Sequence, residues 1–168
     1  MHLHVAETME GFERLEPVWR SLYESDPEAH VFLSFDWLRA FLRGRKVRLR
    51  VLVADDHDLV RDTIAAFLEK DGAFRVTPAS SFAGAADAIR KEGPFDLVLL
   101  DYSMPGMDGL SGLRKALELT EGRPVAIISG IAKREVAQDA LAAGAAGFLP
   151  KTLPAKSLVH AVRFMAAG

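Results

Sequence analysis

The chain has 168 residues, 49% apolar and 26% charged, with a net charge of −2 and no cysteine. That length suits one domain of about 100–150 residues plus an appendage, in an ordinary globular balance able to bury a core. The near-neutral charge gives no wholesale attraction to nucleic acid or membrane, and the missing cysteines exclude disulfides, thiolate metal sites and cysteine catalysis. No apolar run approaches the roughly 18 residues of a membrane span, and Met1-His-Leu-His lacks signal-peptide character, so a cytoplasmic protein is expected.

Residues 1–46 differ in texture from the rest and are expected to form a helical amino-terminal extension. Both tryptophans, Trp19 and Trp37, lie here. Met9, Phe12, Leu15, Trp19, Leu22 and Tyr23 recur at steps of three and four, the stripe of an amphipathic helix, which Asp26-Pro27 ends. Ser34 or Asp36 can cap a second helix carrying Trp37, Leu38, Phe41 and Leu42. Two such helices either pack against each other or the main domain, or offer their aromatics to a second copy or another partner.

From Val47 onward, strands and helices alternate. Val47 to Ala54 turns continuously apolar and ends in Asp55-Asp56-His57-Asp58, after which Leu59, Ile64, Phe67 and Leu68 mark a helix closed by Asp71-Gly72. A short strand over 74–78 leads to a helix capped by Ser80 or Ser81. Leu97 to Leu100 is an apolar run that stops at Asp101 and meets Ser103, Pro105, Gly106 and Gly109, the pattern of a strand buried on both faces. A helix through Leu110, Leu113 and Leu117 follows. Next come a strand over 124–129 ending in Ser129, an alanine-rich helix over 133–143, a strand over 147–151 ending in Lys151, and a last helix over 155–167. Five such units over 47–168 predict an α/β, flavodoxin-like doubly wound domain whose parallel sheet has the order 2-1-3-4-5 and helices on both faces.

That order brings the first strand beside the third, so Asp55, Asp56 and Asp101 meet where such sheets bind ligands. Three carboxylates in one cleft repel, and burial makes their ionisation harder still. A hard divalent cation such as Mg²⁺ would neutralise them through oxygen ligands. Ser129 and Lys151 add a hydroxyl donor and an ammonium from the neighbouring strand ends. A carboxylate nucleophile, a metal, a lysine and a hydroxyl together suit phosphoryl transfer to Asp101. His57 reads as a loop residue and Asp108 as a turn or cap residue. His2, His4, His30 and His160 form no metal-binding spacing.

Residues 48–168 resemble the receiver domain of bacterial response regulators in two-component systems. The resemblance is carried by Val-Leu-Val-Ala-Asp-Asp-His at 51–57, Asp-Leu-Val-Leu-Leu-Asp-Tyr-Ser-Met-Pro-Gly-Met-Asp-Gly-Leu at 96–110, Ile-Ile-Ser-Gly at 127–130 and Gly-Ala-Ala-Gly-Phe-Leu-Pro-Lys at 144–151. It implies that Asp101 is the phosphoacceptor, with Mg²⁺ ligated directly by Asp56, largely through water by Asp55, and by the Ser103 backbone carbonyl. It further implies Ser129 as the switch hydroxyl, Lys151 as the phosphate-binding cation, and Phe148 in the switch-aromatic position. A histidine kinase or a histidine phosphotransfer protein would be the donor.

Thr152 after the lysine and Pro150 before it, together with Asp55-Asp56-His57, resemble the subgroup joined to LuxR-type helix-turn-helix domains. The chain stops at Gly168 with no such domain in it, so no direct nucleic-acid binding is expected of these residues. It would be a stand-alone receiver, a truncated transcription regulator, or a receiver whose amino-terminal helices are the output. A homodimer could form through the helix at 133–143, the strand at 147–151 and the helix at 155–167, or through the amino-terminal helices. Val-Phe-Leu-Ser-Phe-Asp-Trp-Leu at 31–38 resembles the opening segment of FemAB-like or GNAT-like acyltransferase domains. Two other readings of the main domain are a module that binds partners without phosphorylation and a haloacid-dehalogenase-like phosphatase. The latter wants a second acid where this chain has Ser103. Beyond promoting its own phosphorylation and dephosphorylation, the domain is not expected to be an enzyme.

Overall fold

The computed structural model describes residues 13–26, 34–36, 48–131 and 133–167. The chain divides into two units, Met1–Val47 and Arg48–Gly168. In the first, helix α1 spans Glu16–Ser25, with proline in its first turn. This matches the later part of the stripe read from the sequence. Arg20 on α1 donates to Glu16 at 2.9 Å and to both oxygens of Asp36 at 2.9 Å. Its guanidinium also lies 6.0 Å from the ring centroid of Phe35, which is buried. The remainder of the second expected helix, and most of the acyltransferase-like stretch, lie outside the described residues.

The second unit alternates strand and helix: β1 (Leu49–Ala54), α2 (Asp58–Asp71), β2 (Phe74–Ala79), α3 (Phe82–Glu92), β3 (Leu97–Asp101), α4 (Leu110–Leu119), β4 (Val125–Ser129), α5 (Arg134–Ala142), β5 (Gly147–Pro150) and α6 (Ala155–Ala167). All strand pairs are parallel and the sheet order is β2-β1-β3-β4-β5, as the alternation predicted. Among the described residues no helix is long and apolar enough to cross a membrane.

Side chains along a strand point alternately to the two faces, and here both faces are covered, which is why the strands read as unbroken apolar runs. Leu52, Ala54, Val98, Leu100, Val125 and Ile127 join one core with Ala85, Ile89, Leu113, Ala116 and Ala140 of α3, α4 and α5. Val51, Val53, Leu97, Leu99, Ala126 and Ile128 join the other with Ile64 and Leu68 of α2 and Leu158, Val162 and Met165 of α6. With no polar side chain tolerated inside these layers, charged groups collect where the strands end.

The structure amends the reading of α2. Ile64 and Leu68 are buried, but Leu59 is 80% and Phe67 40% exposed. Leu59 sits about 100° or more around the helix from the Val60, Ile64 and Leu68 stripe, so it belongs to the helix but not to its buried face. Of the two proposed caps for α3, Ser81 is the one used, its hydroxyl accepting the Gly84 amide at 3.1 Å.

The segment after β3 sets where Asp101 points. Met104 and Met107 are buried in it, and Gly106 and Gly109 take positive φ of 84° and 63°, which glycine adopts at little cost. Gly112, in the first turn of α4, donates its amide to the Met107 carbonyl at 2.7 Å. A Cβ at Gly112 would lie 2.5 Å from that carbonyl oxygen and 2.5 Å from the Met107 sulfur. Backbone cannot swing aside as a side-chain tip can. Gly112→Ala is therefore expected to cost about 1–3 kcal/mol by overpacking, read as a lower urea midpoint; an unchanged midpoint would show that the loop gives way freely.

Candidate functional site

The residues singled out in the sequence lie along one edge of the sheet, at the carboxyl ends of β1, β3, β4 and β5. Asp55 follows β1, its amide bonded to the Ala79 carbonyl at 3.1 Å, and Lys151 follows β5, its amide bonded to the Ser129 carbonyl at 2.8 Å. Asp101 and Ser129 are the last residues of β3 and β4. Because β1 and β3 are neighbours, Asp55 and Asp101 converge. Both are fully buried. Lys151 reaches across β4 to place Nζ 2.7 Å from Asp55 Oδ2 and 3.0 Å from Asp101 Oδ2.

These are ion-pair distances, but neither carboxylate oxygen has a hydrogen-bond partner. The ammonium is nonetheless the close partner of both, at 2.7 and 3.0 Å. The other oxygens are better provided for. Asp101 Oδ1 accepts the Ser103 amide at 3.3 Å, and Asp55 Oδ1 accepts the His57 amide at 2.9 Å. Asp56 is more open, its side chain 32% exposed.

Burial pushes the Asp101 carboxyl above the usual carboxylate range, and the Asp55 charge adds to the effect. Lys151 and the Ser103 amide oppose this without cancelling it. Burial pulls the Lys151 ammonium down, but the carboxylates of Asp55 and Asp101 more than offset it and hold its pKa above the ordinary lysine value.

His57, read from the sequence as a loop residue, stands at the N-cap position of α2 with extended backbone and no side-chain cap bond. Its ring also turns onto the acid pair, with Nδ1 3.2 Å from Asp55 Oδ1 and 3.0 Å from Asp56 Oδ1. Asp55, Asp56, His57 and Asp101 each offer a ligand atom, all within 4.8 Å of one another. Carboxylate oxygens dominate this set, two of the carboxylates fully buried and with no hydrogen bond at Oδ2, and such a set suits a hard divalent cation.

Ser129 and Phe148 stand apart from this cluster. The Ser129 hydroxyl donates to the Ile131 carbonyl at 3.1 Å and accepts the Ile131 amide at 3.1 Å, so its recorded bonds fold back on its own loop. Phe148 is half-buried and packs against the core beneath α3, α4 and α5. Ser103 is held to Asp101 through its amide, and Asp108 takes a positive φ of 47° in the turn before α4, as a turn residue would.

A family model described as the response regulator receiver domain matches residues 51–163. The chain belongs to the response regulator receiver domain family. This receiver is 37% identical over 121 residues to the response regulator GacA of Pseudomonas viridiflava, an alignment covering 71% of this chain and 56% of that protein. The chain thus spans little more than half the length of the curated relatives it matches first. Among solved structures it is similar to the signal receiver domain of the response regulator NarL from Mycobacterium tuberculosis, with TM-score 0.66, 37% identity, and 72% of this chain and 98% of that one covered. A LuxR family DNA-binding response regulator from Silicibacter pomeroyi aligns with TM-score 0.62 and 33% identity, covering 70% of this chain and 91% of that one. The LuxR-type likeness read from the residues around Lys151 agrees with these relatives.

In this receiver Lys151 is the cation answering two buried carboxylates. Lys151→Met should lower stability by about 3 kcal/mol, because removing one partner leaves buried charge uncompensated. The raised pKa of Lys151 means its contribution is fully present below the ordinary lysine range and is lost as pH climbs through the folded value. The loss in the variant should shrink at low pH, where protonation neutralises Asp101. Urea midpoints of both chains from pH 4 to 9 check this; equal midpoints at neutral pH would contradict it.

Proposed function

We propose that this receiver accepts a phosphoryl group on Asp101 from a histidine kinase or a histidine phosphotransfer protein, and that the reaction needs Mg²⁺. The observation that carries the reading is the convergence of buried Asp101 with Asp55, Asp56 and the Lys151 ammonium at the end of β3. An Asp101 oxygen forms the new O–P bond while the donor's N–P bond breaks, and the released imidazole takes up a proton. Asp55, Asp56, Asp101 and the Ser103 carbonyl would hold the metal, which neutralises charge on the phosphoryl oxygens when bound. Lys151 supplies a fixed positive charge beside the reacting oxygen.

The Ser129 hydroxyl is committed to Ile131 on both its donor and acceptor sides. To donate to a phosphoryl oxygen it must give up the Ile131 carbonyl, and the loop leading into α5 must adjust with it. Phe148 on the adjacent strand, half-buried, would follow into the space released. A switch of that kind reports at α5, β5 and α6, where Leu141 of α5 is 51% exposed, and at the loop before α5, where Ile131 is 62% exposed. That surface, or the amino-terminal helices, would be where self-association or a partner responds, with residues 1–46 as the extension and 47–168 as the receiver domain. A cytoplasmic location follows from a kinase as donor.

Incubation with Mg²⁺ and acetyl phosphate should add about 80 Da to the intact mass. Asp101→Asn and a chelator should each abolish the gain. Only the carboxylate is a nucleophile, so yield should fall at low pH, where Asp101 takes up a proton. The same mass gain in Asp101→Asn would sink the proposal.

A further inference from the structure

The family likeness and the predicted site residues leave a largely covered arginine near the acid pair without a role. Arg61, the fourth residue of α2, is only 14% exposed at its side chain. It does not touch the carboxylates of the site. Instead Nη1 donates to the Asp55 backbone carbonyl at 2.9 Å and Nη2 donates to Asp58 Oδ1 at 2.6 Å. The guanidinium is a planar fork with fixed donor directions. By gripping residue 55 on one side and residue 58 on the other, it fixes the span that Asp56 and His57 must cross.

The other backbone restraints on this loop fall at residues 55 and 57, where the His57 carbonyl accepts the Arg61 amide at 3.0 Å. The Asp55 amide is tied to Ala79, and Asp55 Oδ1 takes the His57 amide. Among the described residues the Asp56 carboxylate is paired with the His57 ring at 3.0 Å, and no backbone amide is recorded holding it. Its aim therefore depends on the backbone between residues 55 and 58. We infer that Arg61 is a positioning residue for a divalent metal, acting through the β1–α2 loop to turn Asp56 toward Asp55 and Asp101. This rests on the metal-dependent reading of the site.

Electrostatics alone predict the opposite sign. A positive charge close to a metal site opposes binding of the metal, and removing it would also free the Asp58 charge, so a purely coulombic Arg61 would weaken metal binding when present. If Arg61 positions, its loss weakens binding. The experiment is calorimetric titration of the full chain with Mg²⁺ alone, for wild type, Arg61→Met, Arg61→Lys and the distant, exposed Arg90→Met. Thermal unfolding without metal is recorded for each. The expected result is affinity lowered roughly tenfold or more in both Arg61 variants, the usual scale for groups that orient metal ligands, and unchanged in Arg90→Met.

Lysine keeps the charge and the stem but cannot grip both acceptors, so it also decides the matter should Arg61→Met not fold. Wild-type or tighter affinity in folded Arg61→Met, or wild-type affinity in Arg61→Lys, overturns the inference. A merely structural role would lower the unfolding midpoints and leave the Mg²⁺ affinity unchanged, which overturns it too. If the wild-type chain takes up no Mg²⁺, the metal-dependent reading fails, and this inference with it.

Discussion

Two fully buried carboxylates, brought together by adjacent parallel strands, are the constraint on which the rest of this receiver depends. Asp55 and Asp101 are fully buried, and on each of them one oxygen lacks a hydrogen bond. Buried ionised groups in that condition are costly unless charge is brought to them. Lys151 brings one positive charge from the end of β5. Against it stand three carboxylates, since Asp56 shares the cluster. Such a site is short of positive charge by construction, and the reactivity proposed for Asp101 follows from that shortfall.

The fold explains why the groups are there. Helices cover both faces of the sheet, so each strand interior is apolar and only strand ends can carry chemistry. The order β2-β1-β3-β4-β5 puts the end of β1 beside the end of β3, with β4 and β5 close enough for a lysine side chain to span. The loops refine the placement. Met104 and Met107 anchor the chain after Asp101 from within the core, the Ser103 amide holds one Asp101 oxygen, and Arg61 braces the loop that bears Asp56.

Much of this was legible in the sequence because it is written in hydrophobic contrast. An apolar run stopped by a carboxylate, as at Leu100-Asp101, reveals both the strand and the group at its end. The alternation of strands with helices fixes the parallel sheet, and the strand order then brings Asp55, Asp56, Asp101 and Lys151 together. What could not be read depends on side-chain direction. The sequence does not say that the His57 ring folds onto the acid pair, or that the Ser129 hydroxyl turns back to Ile131. Leu59 reads as one of the apolar residues marking α2, and only the structure shows that it faces outward. Arg61 could be seen three residues after Asp58, a spacing that pairs charges on a helix. Its second bond, to the Asp55 carbonyl, depends on how α2 leaves the sheet. In residues 1–46 no motif tied the aromatics to a chemistry, and Arg20 gripping Asp36 is a contact between segments that periodicity does not foretell.

The central claim is that Asp101, rather than either of its acidic neighbours, is the reacting carboxylate. Acyl phosphates are reduced by borohydride, which converts a phosphorylated aspartate to homoserine and leaves free carboxylates untouched. The chain treated with Mg²⁺ and acetyl phosphate, reduced and mapped by peptide mass spectrometry, should carry homoserine at position 101 and nowhere else. Homoserine at position 55 or 56, or none at any position, would contradict the account.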